Sequence, residues 1–231
     1  MKKSTILLAL VAFVALSGMV TSNLLLKQEY DKINWSRPYP TFRQQALPNT
    51  IRHVVIKTFP VASVVIEPSD TARMLVKPDL ASHLKTQQRA DTLFVQFTPP
   101  GELSATELNP RDMSSVPWKS VGLVLRLPRL QSLHATNSWL TVLKFRPELL
   151  TVTLNHSRLE ALTVSTVGAC RLAVSRGSWA QLGAERFGAL AVSVQDSSLL
   201  QLLGTTAGVF TREIAPSAGI QFTGGALGLL K

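Results

Sequence analysis

A period of about twenty residues between Leu130 and Phe222 limits this chain more than any other feature. Read from one serine in each unit, the segments are Ser138–Leu143, Ser157–Leu162, Ser178–Leu182, Ser198–Leu203 and Ser217–Phe222. The serines lie 19, 21, 20 and 19 residues apart. The units carry a second alternating run, such as Leu149–Leu154, Cys170–Val174 or Leu190–Val194. Apolar residues recur at every second position, which suits a pleated surface with one buried face. The runs are short, rich in Val, Leu and Thr, and separated by turn residues such as Asn155-His-Ser157 and Arg176-Gly-Ser178. No Asn-Gly or Asp-Gly stands between them, so two-residue hairpins are not expected. The period predicts an all-β parallel β-helix, each repeat making one coil and neighbouring strands about 4.8 Å apart.

The N-terminus is of another kind. Ser4–Leu26 carries no charge over 23 residues and follows Lys2-Lys3. About 20 apolar residues span a bilayer, so residues 4–26 can enter the membrane. They read either as an uncleaved signal anchor or as a cleaved signal peptide cut after Ser17 or Gly18. The lysines place the N-terminus in the cytoplasm and everything after Lys27 beyond the membrane. The localisation expected is the bacterial envelope: anchored in the inner membrane with the domain in the periplasm, or secreted if the segment is cut. Residues 27–49, broken by Pro38, Pro40 and Pro48, read as a stalk whose Tyr30, Trp35, Tyr39 and Phe42 either line the interface or pack on the domain.

Residues 50–231 then form the expected β domain, with N-terminal strands and a cap at 50–130 and regular coils at 130–223. Strands are predicted at Ile51–Lys57, Ala62–Glu67, Ala72–Lys77, Thr92–Phe97 and Val121–Leu127, with prolines at their ends. Leu80–Ala90 is the one candidate short helix, and Pro99–Pro117 reads as a long loop.

The Ile51–Phe97 block, the segment Val124-Leu-Arg-Leu-Pro-Arg-Leu130 and the serine-centred units resemble the auto-transporter adhesin head, or GIN, domains of bacteria. The likeness covers about residues 50–225, and the lysine-led anchor followed by Tyr30-Asp-Lys32 is similar to exported Bacteroidota members. The resemblance implies a single-domain right-handed parallel β-helix with an adhesin-like role and no catalytic residues to carry over. Members often place Gly beside the turn serine. Here only Gly177 does so, against Asn137, His156, Ser197 and Pro216, which predicts turns that are not uniform.

Stacking the repeats aligns positions at a fixed offset from the serine. One residue on stand Trp139, Arg158, Trp179 and Leu199, with Ala218 last. Three residues on stand Thr141, Glu160, Gln181 and Gln201, with Ile220 breaking the series. Both columns should face outward. The first could form an aromatic strip holding sugar rings, with Gln181 and Gln201 bonding hydroxyls. The plainer alternative is that the tryptophans cover a seam against the 50–97 block or the 99–117 loop, with Arg158 stacked on the indoles as a cation–π partner. The candidate glycan or partner residues are therefore Trp139, Arg158, Trp179, Gln181 and Gln201.

A polysaccharide lyase or hydrolase is the rival class, and it needs converging carboxylates. The acids Glu148, Glu160, Glu185, Asp196 and Glu213 sit at five different offsets, and His134 and His156 fail to align. No catalytic residue, metal site or cofactor is predicted. Cys170 cannot form an internal disulfide and reads as a small core residue.

Residues 1–26 take two lysines and no acid from totals of 24 basic and 14 acidic residues, leaving the remainder at +8. That charge suits acidic partners, but the basic residues are scattered, with no nucleic-acid motif. The reading is a non-catalytic envelope protein, adhesin-like or structural. Its expected partner is an envelope glycan, an envelope protein or, through the glycine-rich last turn Gly219–Leu230, another copy of itself.

Overall fold

The computed structural model describes residues 3–32, 38–98, 120–161 and 166–230. The chain divides into two compact units, Met1–Pro40 and Thr41–Lys231. In the first, helix α1 (Lys3–Lys32) runs six residues past the expected limit of the apolar segment. Its stretch Leu10–Gln28, 19 residues of mean hydropathy 1.7, is long and apolar enough to cross a membrane. The Thr21 hydroxyl donates to the Ser17 carbonyl at 2.8 Å, which satisfies it within the helix. Trp35 and the predicted loop 99–117 lie outside the described residues.

The second unit is a sheet protein. Its first strands are β1 (Arg43–Ala46), β2 (His53–Pro68), β3 (Arg73–Val76), β4 (Leu84–Arg89), β5 (Thr92–Phe97) and β6 (Val121–Leu127). Next come β7 (Ser132–Val142), β8 (Leu149–Asn155), β9 (Arg158–Ala161), β10 (Thr166–Ser175) and β11 (Trp179–Leu182). The last four are β12 (Arg186–Val194), β13 (Leu199–Leu203), β14 (Thr206–Ile214) and β15 (Gly219–Thr223). The first of them, β1, falls inside the segment expected as stalk.

The expected single-domain right-handed parallel β-helix is corrected. The strands form one mixed sheet of 15, and β1–β3, β3–β6 and β4–β5 are antiparallel. Residues 41–97 do not carry the period, and there parallel pairs of β2 with β5, β6 and β7 stand beside the antiparallel ones. There the chain reverses: Ala90 adopts a left-handed φ of 51° and Arg89 pairs with Thr92, a two-residue hairpin without the favoured Asn-Gly. The same pairing corrects the predicted Leu80–Ala90 helix. Only Ala81–His83 is helical, a single 3-10 turn, because Leu84–Arg89 is taken up by β5. The two strands predicted at 51–57 and 62–67 are one strand, β2, whose register against β7 shifts between Phe59 and Ser63.

Over the repeats the pairing is parallel. Strands β8, β10, β12 and β14 pair in sequence, and so do β9, β11, β13 and β15. Inward residues of both sets, among them Leu172, Val174, Ala180, Val192 and Leu200, share one core. Each leucine or valine among them is worth roughly 1.5–3 kcal/mol of burial.

Candidate functional site

The anchor serines set the geometry. Ser138, Ser157, Ser178 and Ser198 are fully buried. The hydroxyls of Ser157, Ser178 and Ser198 each accept the N–H of the serine one repeat earlier: Ser138 N to Ser157 Oγ at 3.2 Å, Ser157 N to Ser178 Oγ at 3.0 Å, Ser178 N to Ser198 Oγ at 3.1 Å. Ser138 Oγ starts the ladder by accepting Phe59 N–H at 3.3 Å. The hydroxyls of Ser138 and Ser157 donate in turn to the carbonyls of Thr136 and Asn155. The residue before each serine is left-handed despite its varied identity, with φ 49° at Asn137, 48° at His156, 69° at Gly177 and 56° at Ser197. The turn is thus more uniform than the missing glycines suggest. Pro216 cannot adopt that conformation, since its ring holds φ negative. There the ladder slips, and Ser197 N–H, one residue early, meets Ser217 Oγ.

This frame brings the first predicted column together. Trp139 pairs with Arg158, Arg158 with Trp179 and Trp179 with Leu199. The Arg158 guanidinium lies 3.7 Å from the Trp179 ring centre and 5.8 Å from that of Trp139. Its Nη2 meets Glu160 Oε1 at 2.9 Å. The column is not open: Trp139 is 5% exposed, Arg158 4% and Trp179 7%. Buried cation–π stacking of this kind is worth about 2 kcal/mol. The guanidinium thus lies against the indole faces that a stacked sugar ring would need. The second column runs Thr141, Glu160, Gln181, Gln201, and Gln201 Nε2 donates to Gln221 Oε1 at 2.7 Å. The slip at Pro216 shifts the last repeat by one residue, so Gly219 and Gln221 take the places expected for Ala218 and Ile220.

Two features escaped the sequence reading. Gly168, Gly188 and Gly208 form a column at the repeat period in which each backbone touches the next. A Cβ on Gly188 would lie 2.5 Å from Gly168 O, and one on Gly208 2.9 Å from Gly188 O. The 20-residue spacing of these glycines was the available signal. The other is Glu185, 3% exposed, lining an apolar cavity of about 50 Å³ with Cys170, Leu172, Leu182 and Phe187. Neither carboxylate oxygen has a hydrogen-bond partner. Burial pushes its carboxyl from 4.5 up to about 7; the backbone N–H groups of Glu185 and Gly183 pull weakly the other way without reaching hydrogen-bond geometry. Burial first, then the Glu185 charge, pushes the Cys170 thiol up to about 12, so Cys170 is a core thiol of low reactivity.

The acids do not converge. Glu160 aligns with Gln181 and Glu213 with Ser193. Among the described residues no three His, Cys, Asp or Glu gather at a metal-sized site.

On the outer face, short side chains leave room. Thr151, Arg171, Ala191 and Thr211 stand in one row, and Thr153, Ala173, Ser193 and Glu213 in the next. Between them runs an open groove of about 360 Å³.

No family model matches the chain, and no curated protein matches it. Solved structures do. A "putative adhesin" from Parabacteroides distasonis aligns with a TM-score of 0.56 and 14% identity over 78% of this chain and 72% of its own. One of the same description from Parabacteroides merdae aligns with a TM-score of 0.53 and 12% identity over 78% and 80%. At that identity the likeness is one of fold.

Proposed function

We propose that this chain is a non-catalytic, envelope-facing binding protein. It is held at the membrane through residues 4–26 of α1, and its β body makes adhesin-like contact with an envelope glycan. The observation that carries the reading is the open outer groove. Its floor is a paired sheet with little freedom to lose on binding, and its lining presents the hydroxyls of Thr151, Thr153, Ser193 and Thr211 with Arg171, Arg212 and Glu213 to an extended polar chain. The fold shared with two adhesin-described structures supports the same direction. The scattered acids favour binding over polysaccharide cleavage. With Trp139, Arg158 and Trp179 buried, the glycan contact is assigned to the groove, and Gln181 and Gln201 remain with the stack.

The test is titration of the full chain in detergent micelles with a panel of neutral and acidic bacterial polysaccharides. Saturable binding, lost when Ser193→Arg fills the groove and kept when Gln201→Ala trims the other ladder, is expected. Binding insensitive to Ser193→Arg removes the groove from the reading. Failure of every polysaccharide redirects it to a protein partner.

A further inference from the structure

We infer that a second site, the cleft between residues 128–131 and 144–149, binds the carboxylate of an acidic sugar at one end of the groove. The cleft has a volume of about 620 Å³. Its two walls are built alike. In Arg129-Leu130-Gln131, Leu130 is 1% exposed and its neighbours are exposed; in Lys144-Phe145-Arg146, Phe145 is 5% exposed and its neighbours are exposed. One buried apolar anchor in each wall therefore turns the flanking polar side chains outward. Proline stiffens both. Pro128 precedes Arg129, and Pro147 follows Arg146, where its ring disfavours helical backbone at the arginine.

Arg129 and Arg146 both line the cleft, and neither has a hydrogen-bond or ion-pair partner among the described residues. Among the described lining residues the one acid is Glu148. A guanidinium left without a partner is a planar fork of N–H donors, and its best complement is a carboxylate or a phosphate oxygen pair. The rest of the lining decides between a bare anion and a sugar. Pro68, Pro128, Pro147 and Leu149 give the cleft apolar surface, and Leu149 is 49% exposed. A uronic acid ring offers both a carboxylate and a C–H face. The placement fits a chain ligand, because Leu149 and Thr151 are outward neighbours on β8, about 7 Å apart along the strand. An oligosaccharide lying along the groove reaches the cleft within one or two sugar units. The inference shares the glycan class with the groove reading but rests on different residues.

The experiment titrates the full chain in detergent micelles with oligogalacturonate and with the same oligomer methyl-esterified. Four proteins are compared: wild type, Arg129→Gln/Arg146→Gln, Arg43→Gln/Arg186→Gln as a control of equal charge loss at exposed sites, and Ser193→Arg. The expected result is saturable binding of the free acid, weakened at least tenfold in Arg129→Gln/Arg146→Gln and less than twofold in the control. The esterified oligomer should bind wild type no better than it binds the cleft variant. Equal losses in both double variants would mean diffuse charge attraction and overturn the site, as would equal affinity for acid and ester. Phosphatidylglycerol vesicles are the remaining arm: arginine-dependent capture of vesicles without oligogalacturonate binding would overturn the sugar in favour of a lipid phosphate. Oligogalacturonate binding that survives in Ser193→Arg but not in the cleft variant keeps the site while rejecting the groove.

Discussion

Glu185→Gln replaces a carboxylate that the fold buries at 3% exposure against apolar walls and an un-ionised thiol. In the unfolded chain the group ionises near an ordinary 4.5, and in the fold near 7. The folded state therefore holds the proton more tightly, and stability falls as pH rises from the lower value through the upper one. Below 4.5 the acid is neutral in both states and costs nothing electrostatic; above 7 it is charged in both and the penalty is complete. A separation of about 2.5 units at 1.36 kcal/mol each gives about 3 kcal/mol. Glutamine is nearly the same size and never ionises. Its buried amide carries an unsatisfied-group cost of about 1–3 kcal/mol, but that cost is the same at every pH. The quantity to measure is the difference between wild type and Glu185→Gln in urea denaturation of the full chain, followed by tryptophan fluorescence at pH 4 through 8. Relative to the variant, wild type should lose about 3 kcal/mol across that range, or roughly 6–12 °C in midpoint temperature for a domain of this size. Curves for the two proteins that stay parallel from pH 4 to 8 would refute the reasoning, since they require Glu185 to find a partner or water in the fold.

Two further outcomes follow from the ladders. Ser178→Ala removes the acceptor for Ser157 N–H and should cost about 1–3 kcal/mol in a urea titration, whereas Ser217→Ala, at the exposed slipped end, should cost under about 0.5 kcal/mol; equal costs would reject the buried ladder as the reason for the repeated serine. Gly188→Ala drives a Cβ onto the Gly168 carbonyl and should cost about 3 kcal/mol or more, while Gly177→Ala meets open space and pays only for its left-handed φ, about 1 kcal/mol; a milder effect at Gly188 would mean that neighbouring strands separate readily.

What the repeat disclosed is pairing. The offset from each serine placed Trp139, Arg158 and Trp179 in one column, because a fixed period with parallel pairing leaves no other register. It did not disclose which outward column is covered, since alternation marks the side of a strand and says nothing of what packs on that side. A buried indole pair and an exposed one have the same sequence signature. Nor did it give the sheet's sense of direction before Leu130, where Ala90-Asp91 makes a reversal that residue preferences do not announce. Glu185 was visible only as an acid out of step with the others; its burial depends on the corner before β12 turning inward, a matter of three-dimensional packing.

The separation between periodic and aperiodic residues bears on function. Serine, glycine and aliphatic positions recur because each repeat must present the same hydrogen bonds and the same close approach to its neighbours, and such residues are consumed in holding the sheet. A ligand-binding group has no such reason to recur. Arg129 and Arg146 sit outside the repeated strands, on segments whose buried Leu130 and Phe145 belong to the core while the arginines have no partner among the described residues. The Trp–Arg–Trp column shows the opposite case: three residues rich in binding chemistry, placed in register by the repeat, stack on one another at 3.7 and 5.8 Å and withdraw from solvent. In a chain of this kind the stronger indicator of a site is a charged side chain that stays exposed and without a partner among the described residues, and the cleft arginines meet that condition where the buried stack does not.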